Sequence, residues 1–84
     1  MIWTLFWTDR AIKDLSKLPK LTAARIFNKI ESITDNPHRT AERCEGYQYY
    51  HQRVGPHRVV LEIDDSTFLI SVVKVGPRKR VYDR

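Results

Sequence analysis

His51, Arg53 and Arg58 lie within eight positions of one another, and Arg78 with Tyr82 follows twenty residues later. Side chains of these types could act together on a phosphodiester. In metal-free RNA cleavage the ribose 2′-OH attacks the neighbouring phosphate. The site must then hold an in-line geometry, accept one proton, stabilise added charge and protonate the leaving 5′-oxygen. Arg58 and Arg78 suit the charge-stabilising role, because a guanidinium stays ionised and donates in a fork. Arg53 suits substrate binding or the lowering of a neighbour's pKa. His51, with an ordinary pKa of about 6.5, is the candidate base. Tyr82 can stack on a base or donate a proton, and the sequence leaves both roles open.

Around this set, basic and aromatic residues interleave in a way that suits single-stranded RNA, where bases stack on rings and cations follow the phosphates. Tyr49, Arg53, Lys74, Lys79 and Arg80 are the RNA-binding candidates, with Tyr47 and Tyr50 nearby. A plainer reading covers the same residues: tyrosines at strand spacing as half-buried sheet positions, and the basic tail as solvated charge. Residue types alone lean toward that plainer reading. His38, Cys44, His51 and His57 lack the paired spacing of metal ligands, so no metal site and no cofactor is expected. There is no glycine-rich phosphate loop, and Cys44 in a polar stretch reads as a bystander rather than a nucleophile.

The elements that must carry these groups are legible in order. Ile2 to Trp7 is β-branched and aromatic, a short strand, and Thr8 is placed to cap a helix. Ala11, Ile12, Leu15 and Leu18 form the apolar stripe of that helix, which Pro19 should end. Ala23, Ile26, Phe27, Ile30 and Ile33 make the stripe of a second helix, stopped at Asn36-Pro37. Pro37 to Gly46 is polar and patternless and reads as a connecting loop.

Gln48 to Val54 alternates, with Tyr49, His51 and Arg53 on one face and Tyr50, Gln52 and Val54 on the other. Gly55-Pro56 fits a two-residue type II′ hairpin turn. The next strand points His57, Val59, Leu61 and Ile63 one way and Arg58 and Glu62 the other. After a turn at Asp64-Asp65-Ser66, Thr67 to Val75 is apolar on both faces, as a central strand would be. The order β-α-α-β-β-β predicts an α+β domain, a twisted and mainly antiparallel sheet with a helical hairpin on one face.

The 84 residues are read as one domain, 1–84, with 42% hydrophobic and 30% charged residues. A formal charge of +5 and a pI near 9.7 favour encounter with polyanions. The excess sits at one end: residues 72–84 carry five basic groups and one acidic group. One cysteine precludes an internal disulfide, and no signal segment or membrane-length apolar run is present, so a soluble cytoplasmic protein is expected.

The run from Tyr50 through Arg53, Gly55-Pro56 and Arg58 to Asp65, followed by Val75-Gly-Pro-Arg78-Lys-Arg-Val-Tyr82, resembles the RelE/ParE superfamily of toxins from type II toxin-antitoxin systems. The likeness is nearest the RelE branch. It extends over nearly the whole chain, since that family also opens with a strand and a helical hairpin. The resemblance implies a ribosome-dependent endoribonuclease that cuts mRNA in the decoding site. It also implies a cognate antitoxin, RelB-like and acidic, wrapped around the toxin. Family functional positions fall on His51, Arg53, Arg58, Arg78 and Tyr82. His51 stands where the family usually has Lys or Arg, Pro77 replaces a common His, and His57 a common Tyr. Two other functions are compatible with the chain, a ParE-like inhibitor of DNA gyrase and a basic RNA-binding module without catalysis. The ending at Arg84, with no further helix, and the retained arginines favour the nuclease branch.

Overall fold

The computed structural model describes residues 2–43 and 48–77. Strand β1 (Thr4–Trp7) leads into α1 (Asp9–Ser16) and α2 (Lys20–Ser32). A 3-10 turn (Pro37–Arg39) precedes β2 (Glu42–Arg43), and β3 (Tyr50–Val54), β4 (His57–Asp64) and β5 (Leu69–Pro77) follow among the described residues. The five strands form one sheet in the order β1-β5-β4-β3-β2. Among the described residues only the β1–β5 pair is parallel. The α+β class and the antiparallel character are as expected. The stretch read as a plain loop instead contains the 3-10 turn and β2, because two strand residues are too few to show periodicity.

Both helices lie on one face of the sheet. Ala11, Ile26, Ile30 and Ile33 pack there against Val54, Val59, Leu61, Ile70, Val72 and Val75. Of the expected stripes, Ile12 is exposed, and Phe27 is partly so while stacking on Trp7 at 5.5 Å. Helix α1 starts where Thr8 was expected to cap it, the hydroxyl accepting from Ala11 N–H at 3.2 Å, a contact worth about 1 kcal/mol. It ends at Ser16 rather than at Pro19: Lys17 N–H already bonds back to the Asp14 carbonyl and Leu18 N–H to the Leu15 carbonyl, and Pro19 caps α2 instead.

Beyond Trp7 the chain turns away from β5, which would leave that edge of β5 without a partner. Helix α1 covers it. The Thr8 hydroxyl donates to the Val72 and Val73 carbonyls at 2.8 and 3.0 Å, and the Asp14 carboxylate accepts from Val75 N–H at 3.0 Å. Arg10 holds Asp14 from the solvent side at 3.2 Å.

This covered edge coincides with a bulge. Leu61 pairs with Val72 but Val60 pairs with Lys74, so Val73 is the extra residue. The bulge returns Val75 to the core beside Val72 and turns Lys74 to the opposite face. At the other hairpin, Val54 pairs with His57, leaving Gly55-Pro56 as a two-residue turn. Gly55 has φ of +57°, and the fixed negative φ of proline leaves type II′ as the compatible form. Strand β5 begins two residues later than the apolar pattern suggested. Asp64 holds the preceding turn by accepting from Ser66 N–H and hydroxyl, and Phe68 adopts φ of +55° with its ring edge-on to Trp3.

Candidate active site

The strand face away from the helices gathers the chemistry-bearing residues. Register places Glu42, His51, Val60 and Lys74 in one row across β2, β3, β4 and β5. The adjacent row reads Arg53, Arg58 and Gly76. Directly opposed residues in such rows have Cβ atoms about 5 Å apart. Four of the sequence candidates, His51, Arg53, Arg58 and Lys74, thus share one surface. Tyr49, just ahead of β3, has the same parity and is exposed. Arg78, Lys79, Arg80 and Tyr82 lie outside the described residues, as do Cys44 and Tyr47.

His51 is 7% exposed and Arg58 5%, more buried than polar residues of an open sheet face were expected to be. The His51 Nε2 lies 3.1 Å from Glu42 Oε1. Burial chiefly pushes the imidazole pKa below its ordinary 6.5; the hydrogen bond to Glu42 opposes this, and the positive charges of Arg58 and Arg53 add to it. The ring is therefore mainly neutral at pH 7 and able to accept a proton.

Arg53 and Arg58 face one another across the β3–β4 ladder, an arrangement that disfavours itself by like-charge repulsion. Gly76, opposite Arg58 on its other side, presents no side chain there. The II′ turn fixes this geometry, since a two-residue loop sets the register and one slipped position would send Arg53 and Arg58 to the helical face.

Charge reverses at the far end of β4. Glu62, Asp64 and Asp65, with Gln48, Ile63, Leu69 and Ser71, line a cavity of about 370 Å³. An anionic ligand would be repelled there and drawn toward the arginine end. Among the described residues no group of three or more His, Cys, Asp or Glu side chains is arranged to hold a metal.

Glu42 is the site residue that sequence reasoning missed. Its partner His51 is nine residues away, and only the pairing of β2 with β3 brings the two together. The segment is fastened beneath by a buried Pro37, by Ala41 N–H bonded to the Pro37 carbonyl, and by the Thr40 hydroxyl donating to Gln52 Oε1 at 2.7 Å. The polar residues that looked like loop composition are the fastenings of β2.

Known proteins resemble this chain along its length. An Escherichia coli protein described as a RelE-like toxin is 28% identical over 83 residues, covering 95% of this chain and 87% of its own. A chain of the toxin-antitoxin complex RelBE2 from Mycobacterium tuberculosis superposes with a TM-score of 0.82 at 26% identity, covering 93% of each chain. The free Escherichia coli toxin RelE, solved as a double arginine-to-alanine variant, has the same fold, with a TM-score of 0.80 at 24% identity over 99% of this chain and 93% of that one. The family model for the ParE toxin of the type II toxin-antitoxin system parDE matches residues 5–82. With that match spanning both helices and every strand from Leu5 onward, the chain belongs to the ParE toxin family, within the RelE/ParE superfamily of type II toxin-antitoxin toxins.

Proposed function

We propose that this toxin is a ribosome-dependent endoribonuclease of the RelE type, cutting mRNA in the decoding site and so arresting translation. The observation that carries the reading is a buried His51 beside an opposed pair of arginines on one sheet face. The reaction needs no bound metal in this scheme. His51 takes the proton of the 2′-OH, and Arg58 stabilises the charge added to the phosphate as the 2′-oxygen bonds to phosphorus and the 5′-oxygen departs. Arg53, exposed at the rim, holds the flanking phosphate, with Lys74 and Tyr49 extending the track. Arg78 and Tyr82 complete the constellation, Tyr82 stacking on a base or protonating the leaving oxygen. Lys79 and Arg80 add cationic contact with the ribosome-bound message.

In the cell the reading places the toxin in the cytoplasm, held inactive by an acidic RelB-like antitoxin whose charge complements the toxin's +5. The test is to add the purified protein to translating ribosomes and map mRNA 5′ ends. Cuts within the decoding site are expected. A second reading, poisoning of DNA gyrase, draws on the match to the ParE family model. Loss of gyrase supercoiling with intact mRNA would replace the first reading with the second. Salt-sensitive RNA binding with neither effect would leave a binding module.

A further inference from the structure

We infer that the outer edge of β1 docks a second copy of this chain, the two β1 strands pairing antiparallel about a two-fold axis at Phe6 to continue the sheet. The inference is independent of the nuclease reading. The Thr4 N–H donates to the Phe68 carbonyl just ahead of β5, and the Thr8 N–H to the Val72 carbonyl within it. Along a strand, alternate residues send their backbone groups to the same side. Thr4, Phe6 and Thr8 therefore serve β5, and the backbone groups of Leu5 and Trp7 point outward. Trp3 N–H also points outward, and the Thr34 carbonyl accepts it at 2.7 Å. Among the described residues nothing bonds to the outward groups of Leu5 and Trp7.

Open edges are usually guarded by charge, proline or a covering element. Strand β2, at the other end of the sheet, presents exposed Glu42 and Arg43, and α1 covers β5 beyond Trp7. No such guard stands on β1: residues 1–8 contain no charged side chain and no proline. Its rim is apolar on both faces. Phe6, 56% exposed, stands on the face away from the helices, while Trp7 stacks on the part-exposed Phe27 on the helical side. Charge and symmetry together select a second copy as the occupant. An acidic partner finds no cation among residues 1–8 to hold, whereas two chains of charge +5 can approach at this uncharged edge, with β5 between it and the arginines of β3 and β4. With the axis at Phe6, Leu5 of each copy opposes Trp7 of the other in a hydrogen-bonded pair, so every outward group of the two residues gains a partner. The Phe6 residues then form a non-hydrogen-bonded pair with Cα atoms about 4.5 Å apart, where rings on one face meet. The ladder stops where Trp3 is already bonded and where Asp9 begins α1. So short an interface makes a dimer that dilution dissociates.

The experiment is sedimentation equilibrium of the purified chain over an about 100-fold range of concentration, with amide hydrogen exchange at both ends of the range. The wild type should pass from monomer to dimer mass, and the Leu5 and Trp7 amides should gain protection as it does. Added salt should tighten the dimer, because it screens the repulsion between two +5 chains. Phe6→Lys should stay monomeric throughout, with its urea midpoint unchanged because Phe6 is exposed. Phe6→Cys, made with Cys44→Ser, should cross-link into dimers on mild oxidation, since its Cα separation lies within disulfide reach; Thr4→Cys in the same background should not. These two cysteine variants test the pairing even if Phe6→Lys fails to fold. A wild type that is monomeric at every concentration would overturn the inference and leave the edge to an extended segment of another protein. Dimers in which Leu5 and Trp7 exchange freely, or that cross-link at Thr4 and not at Phe6, would overturn it equally.

Discussion

Replacing Arg58 with methionine separates the guanidinium's chemistry from its packing. Arg58 is 5% exposed and sits between Arg53 on one side and Gly76 on the other, so an alanine would leave a void, whereas methionine keeps most of the aliphatic stem. Removing one donor that acts on transition-state charge costs about 10²- to 10³-fold in turnover, or about 2.7–4 kcal/mol. A second consequence appears in the same variant. Arg58 is one of the charges that hold the His51 pKa down, so its removal should move the acid limb of the rate profile to higher pH. Single-turnover mRNA cleavage on ribosomes from pH 5 to 8, with folding checked by urea denaturation, reads both effects. A folded Arg58→Met that cuts within threefold of the wild type would refute the assignment. A large loss of rate with an unmoved acid limb would refute the proposed coupling to His51.

Four further outcomes are expected. Because the folded His51 pKa lies below 6.5, the unfolded chain binds more protons in that window. The stabilisation from His51 is therefore full above about pH 6.5 and is lost as pH falls through the folded value, which denaturant midpoints across pH 5–8 would show and which His51→Gln should flatten. Arg53→Gln should weaken RNA binding and lower the slope of log affinity against log salt by about 0.7, the share of one phosphate contact, in filter-binding titrations. Asp14→Ala should cost about 1–3 kcal/mol in chemical denaturation, since Val75 N–H loses its acceptor at the edge of β5. Gly55→Ala should cost about 1 kcal/mol through its φ of +57° alone, because a Cβ there meets no atom within 4 Å.

What could be read from the chain was whatever its chemistry expresses locally. Thr8 caps α1 because a hydroxyl before an apolar stripe acts over one turn, and Gly55-Pro56 turns the hairpin because proline excludes the alternative. Alternation placed His51 and Arg53 opposite Gln52 and Val54, and Arg58 opposite Val59, as found. Features that depend on a distant partner stayed hidden. Glu42 gains its role from a strand too short to show a pattern, and the burial of His51 and Arg58 is a property of the assembled face. Phe68, an aromatic at positive φ, is accommodated by a turn whose local sequence shows only acids and hydroxyls.

The bulge at Val73 gives β5 slack in chain length at one place. Residues inserted in the turn at 65–68 would lengthen a solvent-facing connection and leave both ladders aligned. Deleting Val73 would leave Leu61 opposite Val72, Val60 opposite Lys74 and Val59 opposite Val75 as an unbroken ladder, with Lys74 and Val75 on their present faces. A three-base deletion there would remove the local bend and the Val73 carbonyl that Thr8 bonds, and would keep the register. That single unpaired valine shapes the strand without setting which residues oppose which.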